Sequence, residues 1–302
     1  MRVHLVDGTY ELFRQHFGSA SRHSDSGPYA AVAGVVASTL ALVQDGATHI
    51  GVASDHTIES FRNELWADYK TADGMDPDIL RQIPVMERAL SAAGFTVWPM
   101  VEYEADDALG AAAAVADRDE RVEQVLIVTP DKDLGQCVRG NRVVQFDRRK
   151  REIIDADGVR AKFGVGPESI ADYLGLVGDT ADGFPGLPGW GAKSAGLVLA
   201  RYVHIENIPA AAGQWDVTGL RGAAKLSATL QAQLADALLF REIATVVTDI
   251  DVGTVDEWHW TGPTAGFAEI ADEIDTPDLV AFAERLTPKR RSGAPPTEVT
   301  TR

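Results

Sequence analysis

The chain has few of the features that stabilise small secreted proteins or anchor a protein in a membrane. Among its 302 residues there is one cysteine, Cys137, so no disulfide can form within the chain and a reducing compartment is expected. The N-terminus shows no secretory signal, and the apolar stretch 28–43 is shorter than the ~20 residues that a spanning helix needs. The sequence therefore predicts a cytoplasmic protein with no membrane partner.

Basic residues are scarce relative to acidic ones. Lys and Arg number 28 against 45 Asp and Glu, which gives a formal net charge of −17. Taken alone, this balance argues against a nucleic-acid partner, because DNA binding depends on Lys and Arg that displace counterions from phosphates. The argument fails if carboxylates serve as metal ligands, or if the basic residues gather on one face.

Apolar runs alternate with helix-compatible segments in the first half of the chain. Strand-like runs at 3–6, 50–53, 125–128 and 143–146 are followed closely by Asp7, Asp55, Asp131 and Asp147. Helix-compatible patterns cover 29–44, 77–93 and 106–116. Such alternation predicts an α/β domain with a mostly parallel central sheet flanked by helices. Ligands bind beyond the carboxyl ends of the strands in such sheets, where these aspartates lie.

The second half of the chain has a different pattern. Helix-compatible stretches cover 169–177, 193–202 and 223–246, a Gly- and Pro-rich connector covers 178–191, and the one strand candidate, 250–252, is weak. We therefore predict an α/β domain over residues 1–166 and a helical domain over 167–286. Residues 287–302 hold three prolines and little apolar content, which predicts a disordered tail.

Further acids cluster beside the strand ends and at the predicted domain junction. Four of the six residues in Glu102–Asp107 are carboxylates, the segment 130–133 adds Asp131 and Asp133, and the segment 178–183 adds Asp179 and Asp182. A helix N-terminus favours one or two acids through its dipole. That preference does not explain a larger cluster, because its like charges repel.

Carboxylates without histidine or cysteine partners suit hard cations, Mg²⁺ or Mn²⁺, and not zinc. The seven histidines have no zinc-like spacing, and the acids do not follow the twelve-residue loop of an EF-hand. Acids from several strand ends and two helices can hold two ions a few ångströms apart, which serves in-line displacement at phosphorus. Metal-assisted phosphodiester hydrolysis is the leading interpretation, and a solvated acidic surface is the alternative.

The motifs, taken in order, resemble those of the 5′-nuclease family: the 5′→3′ exonuclease domain of bacterial DNA polymerase I, phage 5′-exonucleases and flap endonucleases. The matching segments are LVDGTYELFR (5–14), FRNELWADYK (61–70), EADDALG (104–110), VTPDKDLGQCV (128–138) and GDTADGFPGLPGWGAKSA (178–195). The resemblance covers about residues 5–202. It implies a PIN-like nuclease core followed by a helical domain with a helix-hairpin-helix motif.

The resemblance also implies an activity and a site. The activity is that of a 5′→3′ exonuclease and 5′-flap endonuclease that uses two Mg²⁺ or Mn²⁺ ions. Nine carboxylates would form the metal site: Asp7, Asp55, Glu104, Asp106, Asp107, Asp131, Asp133, Asp179 and Asp182. Lys70, Arg62 and Arg14 would act near the scissile phosphate, the first two at the base of a helical arch that the 5′ end passes through.

DNA binding is assigned by the same resemblance to the second domain. Gly186, Gly189, Gly191 and Lys193 match the helix-hairpin-helix, where a monovalent cation, K⁺, would bridge the hairpin carbonyls to the DNA backbone. Glycines in such a motif let backbone N–H groups approach a phosphate. We expect a monomer that binds DNA with 5′ flaps, nicks or free 5′ ends.

Four positions depart from the family pattern. Asp73 stands where members usually carry a second basic residue, three positions after the arch lysine, and Arg81 is the candidate that replaces it in DNA binding. Ser54 replaces a usual Phe, and Gly183-Phe184 replaces Asn-Ile. Asp73 supports one alternative, a non-catalytic structure-specific DNA-binding protein on the same fold. A related small nuclease acting on RNA is a third hypothesis, which the hairpin motif and the second domain disfavour.

Overall fold

A six-stranded sheet forms the centre of the first half of the protein. The computed structural model describes residues 1–18 and 27–287, and the sheet order is β3-β2-β1-β4-β5-β6. The strands are β1 (Arg2–Asp7), β2 (His49–Asp55), β3 (Thr96–Met100), β4 (Gln124–Val128), β5 (Val143–Asp147) and β6 (Glu152–Ile154). Neighbouring strands are parallel except β5 and β6, so the predicted mostly parallel sheet is confirmed.

The central strand β1 is buried on both faces. Val3 and Leu5 join one hydrophobic cluster, whereas Val6 joins the cluster on the opposite face. A near-continuous apolar run is typical of such a strand, because helices cover both faces of a parallel sheet. The described residues form twelve α-helices: α1 (Gly8–His16), α2 (Ala30–Gln44), α3 (Arg62–Leu65), α4 (Pro77–Ala92), α5 (Ala105–Arg118), α6 (Ala156–Phe163), α7 (Ile170–Val177), α8 (Ala192–Tyr202), α9 (Ala223–Ala232), α10 (Leu234–Ala244), α11 (Phe267–Glu273) and α12 (Asp278–Leu286).

The sheet order places a crevice at the carboxyl end of β1. This strand pairs with β2 on one side and with β4 on the other, and the connections from β1 and β4 leave in opposite directions along the sheet. Ligands of open α/β sheets bind at this kind of switch point. Asp7 is the last residue of β1 and lies at the crevice.

The helical unit has a hydrophobic core of its own. This core gathers residues from α6 to α10, including Leu174, Phe184 and Phe240. Residues 246–286, which the sequence prediction groups with 167–245, contribute to the clusters of the sheet: Trp258 and Trp260 lie in its two clusters. The Trp98 indole donates to Val252 O at 3.1 Å, which ties this segment to β3.

Other sequence predictions differ in detail from the structure. Residues 250–252 form no strand, and the predicted helix 223–246 is interrupted at Gln233, between α9 and α10. Of the predicted disordered tail, residues 288–302 lie outside the described part of the chain. Within residues 1–18 and 27–287, all helices are too short or too polar to span a bilayer.

Candidate metal centre and nucleic-acid interface

Two strand ends hold carboxylates at the switch point. Asp7 caps α1: its Oδ1 accepts from the Tyr10 N–H at 2.8 Å, and its Oδ2 accepts from Thr129 Oγ1 at 3.0 Å. Asp55 ends β2, and its Oδ1 accepts from the Ala105 N–H at 2.8 Å, in the first turn of α5. The backbone thus fixes both side chains at the carboxyl edge of the sheet.

Beside these strand ends, five aspartates form two overlapping groups. Asp106, Asp131 and Asp133 make the first group, and Asp133, Asp179 and Asp182 make the second. Within each group, one carboxylate oxygen per residue lies within 4.8 Å of the others. The shared residue, Asp133, is 8% exposed, and its Oδ1 is buried with no hydrogen-bond partner among the described residues. A buried oxygen that accepts no hydrogen bond and has only the Lys132 ammonium nearby, at 3.5 Å, fits a cation ligand, and an all-carboxylate set fits Mg²⁺ or Mn²⁺.

The first group carries strongly perturbed acids. Burial raises the pKa of Asp106 well above its usual range, and the charges of Asp131, Asp7 and Asp133 raise it further. Burial likewise raises the pKa of Asp7 to about 7, with the nearby charges of Asp55 and Asp131 adding to the shift. Divalent cations would relieve this repulsion, so we expect their binding to release protons.

Lys70 and Glu104 form a paired centre next to the second group. The Lys70 Nζ lies 2.8 Å from Glu104 Oε2 and 3.4 Å from Asp182 Oδ1. Glu104 is 4% exposed and also accepts from Ser60 Oγ at 2.6 Å and from the Tyr69 hydroxyl at 3.2 Å. Burial alone would raise the pKa of Glu104, but the Lys70 and Arg62 charges outweigh it and hold the pKa below its usual value. Lys70 therefore lies against the acids, and its predicted role toward the scissile phosphate stays a prediction.

Arg62 and Asp107 form a buried ion pair. The guanidinium binds both carboxylate oxygens of Asp107 at 2.8 Å, and it donates to Ile243 O at 2.7 Å and to Thr245 O at 3.0 Å. The Asp107 carboxylate also accepts from the Glu104 and Val247 amides. Both side chains are buried, at 3% and 0% exposure. Because their polar atoms are paired within the protein, we expect a structural role for this pair, and the metal-ligand role of Asp107 and the substrate-facing role of Arg62 stay predictions.

The remaining predicted basic residues lie on the surface of the sheet domain. Arg14 on α1 pairs with the buried Glu11, with 3.2 Å between Nε and Oε2. Arg81 on α4 is exposed and pairs with Asp78 one turn before it. Asp73 is exposed in the segment between α3 and α4. The described structure brings none of these three into contact with the two carboxylate groups, and their roles toward DNA stay predictions.

The Gly- and Pro-rich connector joins α7 to α8 as a tight hairpin. Gly186 has φ +66°, and a Cβ at this position would lie 2.3 Å from the Gly178 nitrogen, so only glycine fits. Around Gly191, in contrast, a Cβ would meet nothing within 4 Å. A groove of about 580 Å³ here is lined by residues that include Gly189, Gly191, Lys193 and Arg221. Arg221 is not among the residues predicted from the sequence. Two glycines with positive φ, Gly219 and Gly222, lie close to it in the chain.

Sequence analysis also passed over Lys132 and Thr129. Lys132 stands between two metal-site aspartates in the chain, and its ammonium pairs with Asp179 and Asp133. Thr129 precedes Asp131 by two residues and fixes Asp7. The available signal was proximity in sequence to Asp131, which does not reveal which way a side chain points.

A mostly parallel sheet with two carboxylate groups at its switch point, joined to a helical unit with a glycine hairpin, defines an α/β protein with a candidate centre for divalent metal ions. The chain belongs to the 5′-3′ exonuclease family. Residues 2–164 match its N-terminal resolvase-like domain, and residues 165–265 match its C-terminal SAM fold.

Named relatives agree with this assignment. The chain is 36% identical to DNA polymerase I of Pseudomonas aeruginosa over 82% of its own length, but it spans only 27% of that relative. It is 34% identical to a 5′-3′ exonuclease of Aquifex aeolicus over 68% of this chain and 71% of that one. A bacteriophage T5 flap endonuclease, crystallised with DNA and metal ions, has a similar fold, with TM-score 0.64, 20% identity and coverage of 94% and 100%.

Proposed function

We propose that the protein is a metal-dependent 5′→3′ exonuclease and structure-specific 5′-flap endonuclease that hydrolyses DNA phosphodiester bonds. The observation that carries this proposal is the pair of carboxylate groups that share Asp133. Two divalent ions, Mg²⁺ or Mn²⁺, held there would supply positive charge against a scissile phosphate and activate a water molecule for attack. Asp106 and Asp131 would complete the first ion site, and Asp179 and Asp182 the second.

Lys70 would add a fixed positive charge beside the ions. Burial alone would lower the pKa of Lys70, but Glu104 and Asp182 outweigh it and keep the pKa well above its ordinary value. The ammonium is therefore charged at neutral pH. A fixed charge of this kind stabilises the charge that develops on a phosphate during displacement.

The substrate part of the proposal rests on the relatives and on the helical unit. One relative is named as an exonuclease, and the similar T5 structure is that of a flap endonuclease with DNA. The polymerase relatives extend far beyond the length of this chain, so their polymerase function is not carried over. DNA with 5′ flaps, nicks or free 5′ ends is the substrate that we propose, bound by a monomer in the cytoplasm.

Because the net charge of the protein is negative, we expect local basic and backbone N–H groups to bind the DNA. Two divalent ions would change the net charge from −17 to −17 + 4 = −13, so the protein as a whole still repels DNA. The hairpin exposes Gly189, with the exposed Lys193 close by, and would offer a backbone N–H group and a cation to a phosphate. The Gly191 N–H itself donates to Ser194 Oγ at 3.0 Å. A K⁺ ion on the hairpin carbonyls belongs to the same proposal.

The test is incubation with a 5′-flap DNA duplex, with Mg²⁺, Mn²⁺ or EDTA, followed by sizing of the products. Parallel samples carry the label at the 5′ end or within the flap, and a flap of RNA serves as a comparison. We expect metal-dependent release of short 5′ products and of whole flaps, and none with EDTA. Binding of the flap without cleavage in any metal would contradict the proposal and favour the non-catalytic DNA-binding alternative, for which the exposed Asp73 is the supporting residue.

A further inference from the structure

Lys132 lies inside the acidic cluster rather than on its rim. Its ammonium donates to Asp179 Oδ2, and its Nζ lies 3.5 Å from Asp133 Oδ1. The two acids belong to different units: Asp133 begins the turn after β4, whereas Asp179 lies in the hairpin that follows α7. Both are members of the second carboxylate group. One ammonium therefore bridges two of the three ligands of that group.

The two carboxylate groups differ in their cation partners. In the second group, Lys132 contacts Asp133 and Asp179, and Lys70 lies 3.4 Å from Asp182. In the first group, Asp106 and Asp131 form no ion pair with any Lys or Arg of residues 1–18 and 27–287. The shared Asp133 pairs with Lys132, and both remaining members of the second group also pair with a lysine, so the second group carries more counter-charge from the protein than the first.

We infer that Lys132 is a built-in counter-ion of the second metal site: it holds Asp133 and Asp179 together, and a second divalent ion binds only by displacing its ammonium. This inference rests on the proposed function, because it presumes that both groups take ions. Lys132 is a positioning residue here and not a catalytic one.

The environment of Lys132 allows such an exchange. Its side chain is 34% exposed, so the ammonium can swing into solvent without opening the core. The ammonium is charged at neutral pH, and displacement therefore exchanges one cation for another. Lys132 pairs most closely with Asp179, which belongs to the second group only, so we expect this competition to weaken mainly the binding of the second ion.

The test compares Lys132→Met with Lys150→Met in the full chain. Met keeps the aliphatic length and removes the charge. Lys150 is the matched control, because its Nζ lies 3.8 Å from Asp147 Oδ2, and Asp147 belongs to neither carboxylate group. The readouts are Mn²⁺ association constants from calorimetry with Mn²⁺ alone, and the thermal midpoint with EDTA and with saturating Mn²⁺.

For Lys132→Met we expect the weaker Mn²⁺ association constant to rise roughly five- to tenfold, while the stronger constant changes by less than about twofold. Tenfold corresponds to about 1.4 kcal/mol. The EDTA midpoint should fall, since carboxylate repulsion is no longer offset, and the Mn²⁺-induced rise should grow. Lys150→Met should leave both constants unchanged. Lys132→Arg, which keeps the charge, should show no gain in the weaker constant and serves if Lys132→Met folds poorly.

A weaker constant that is unchanged or lower in Lys132→Met would overturn the inference, as would an equal gain in Lys150→Met or a gain in Lys132→Arg. Failure of the proposed function would look different: wild-type protein would bind no Mn²⁺ in the calorimeter, or it would bind Mn²⁺ without cleaving a 5′-flap duplex. Calorimetry and the flap assay on the same preparations therefore distinguish the two failures.

Discussion

The buried pair of Arg62 and Asp107 can be tested by removing one charge at a time. Arg62→Ala leaves a carboxylate at 0% exposure with only two amide donors, and it frees the carbonyls of Ile243 and Thr245. Breaking a buried ion pair in this way costs about 3–5 kcal/mol. For a chain of this length, about 2 °C per kcal/mol converts that loss into a midpoint drop of roughly 6–10 °C.

Asp107→Asn separates the structural role from a metal-binding role. The amide keeps the shape but leaves the buried Arg62 charge with only Glu104 Oε1, at 3.5 Å, as a charged partner, so we expect a substantial midpoint loss with EDTA present. A metal ligand would behave oppositely: its loss would spare the metal-free protein and remove the stabilisation that Mn²⁺ provides. The double variant should lose less than the sum of the single losses, because each single variant already breaks the pair.

Arg81→Ala is the control for this experiment. Its ion pair with Asp78 is 72% and 61% exposed, and such pairs contribute about 0–1 kcal/mol. Thermal unfolding of the four variants, each with EDTA and with Mn²⁺, gives the answer. The reasoning is refuted if Arg62→Ala and Arg81→Ala lower the midpoint equally, or if Asp107→Asn loses only the Mn²⁺-dependent part.

Three further predictions concern DNA contacts and pH. Asp73→Arg should raise the rate of single-turnover flap cleavage several-fold at low salt, since two charges ~6 Å apart interact by roughly 1 kcal/mol after screening. An unchanged rate at low salt would show that Asp73 faces away from the DNA strand. Gly191→Val should keep the thermal midpoint, because a Cβ at this position meets no protein atom within 4 Å. The variant should bind duplex DNA roughly tenfold more weakly, because the new side chain blocks a phosphate contact. Unchanged duplex affinity in a titration would show that the hairpin does not bind DNA. Burial, with the charges of Arg2 and Arg148, lowers the pKa of His4 from 6.5 to about 4. Between these two pH values the unfolded chain binds more protons than the folded chain. The free energy of unfolding therefore falls as the pH drops through this window, by up to about 3.4 kcal/mol. Urea unfolding between pH 7 and pH 4 should therefore show a smaller loss of unfolding free energy in His4→Gln than in the wild type. Equal losses in the two proteins would show that His4 does not cause the pH dependence.

The strand ends could be predicted because their signal is local. An apolar run that ends at an aspartate, as in β1 with Asp7, is visible in the sequence, and the parallel sheet brings such ends to one edge. β3 was missed because Pro99 interrupts its five residues. Proline is tolerated there since β3 is an edge strand, which only the sheet order reveals.

The partners of the charged residues could not be predicted, because they are distant in the chain. Arg62 and Asp107 are 45 positions apart, and the family pattern groups each with residues that share its chemistry. Lys132 neighbours two aspartates in sequence, yet its ammonium reaches Asp179, 47 positions away. The core to which residues 246–286 belong could not be predicted either, since the sequence around Trp258 and Trp260 suits both the core of the sheet and the core of the helical unit.

The central claim is that the carboxylate groups hold ions for cleavage and do not hold DNA. Single-turnover cleavage of a 5′-flap substrate by Asp106→Ala and Asp131→Ala, with flap affinity measured on the same preparations, tests it most directly. Loss of an ion that stabilises the transition state by several kcal/mol should lower the rate at least 10²–10⁴-fold, while affinity stays within a few-fold of wild type. Near-wild-type cleavage by both variants, or loss of DNA binding in step with cleavage, would contradict the two-ion account.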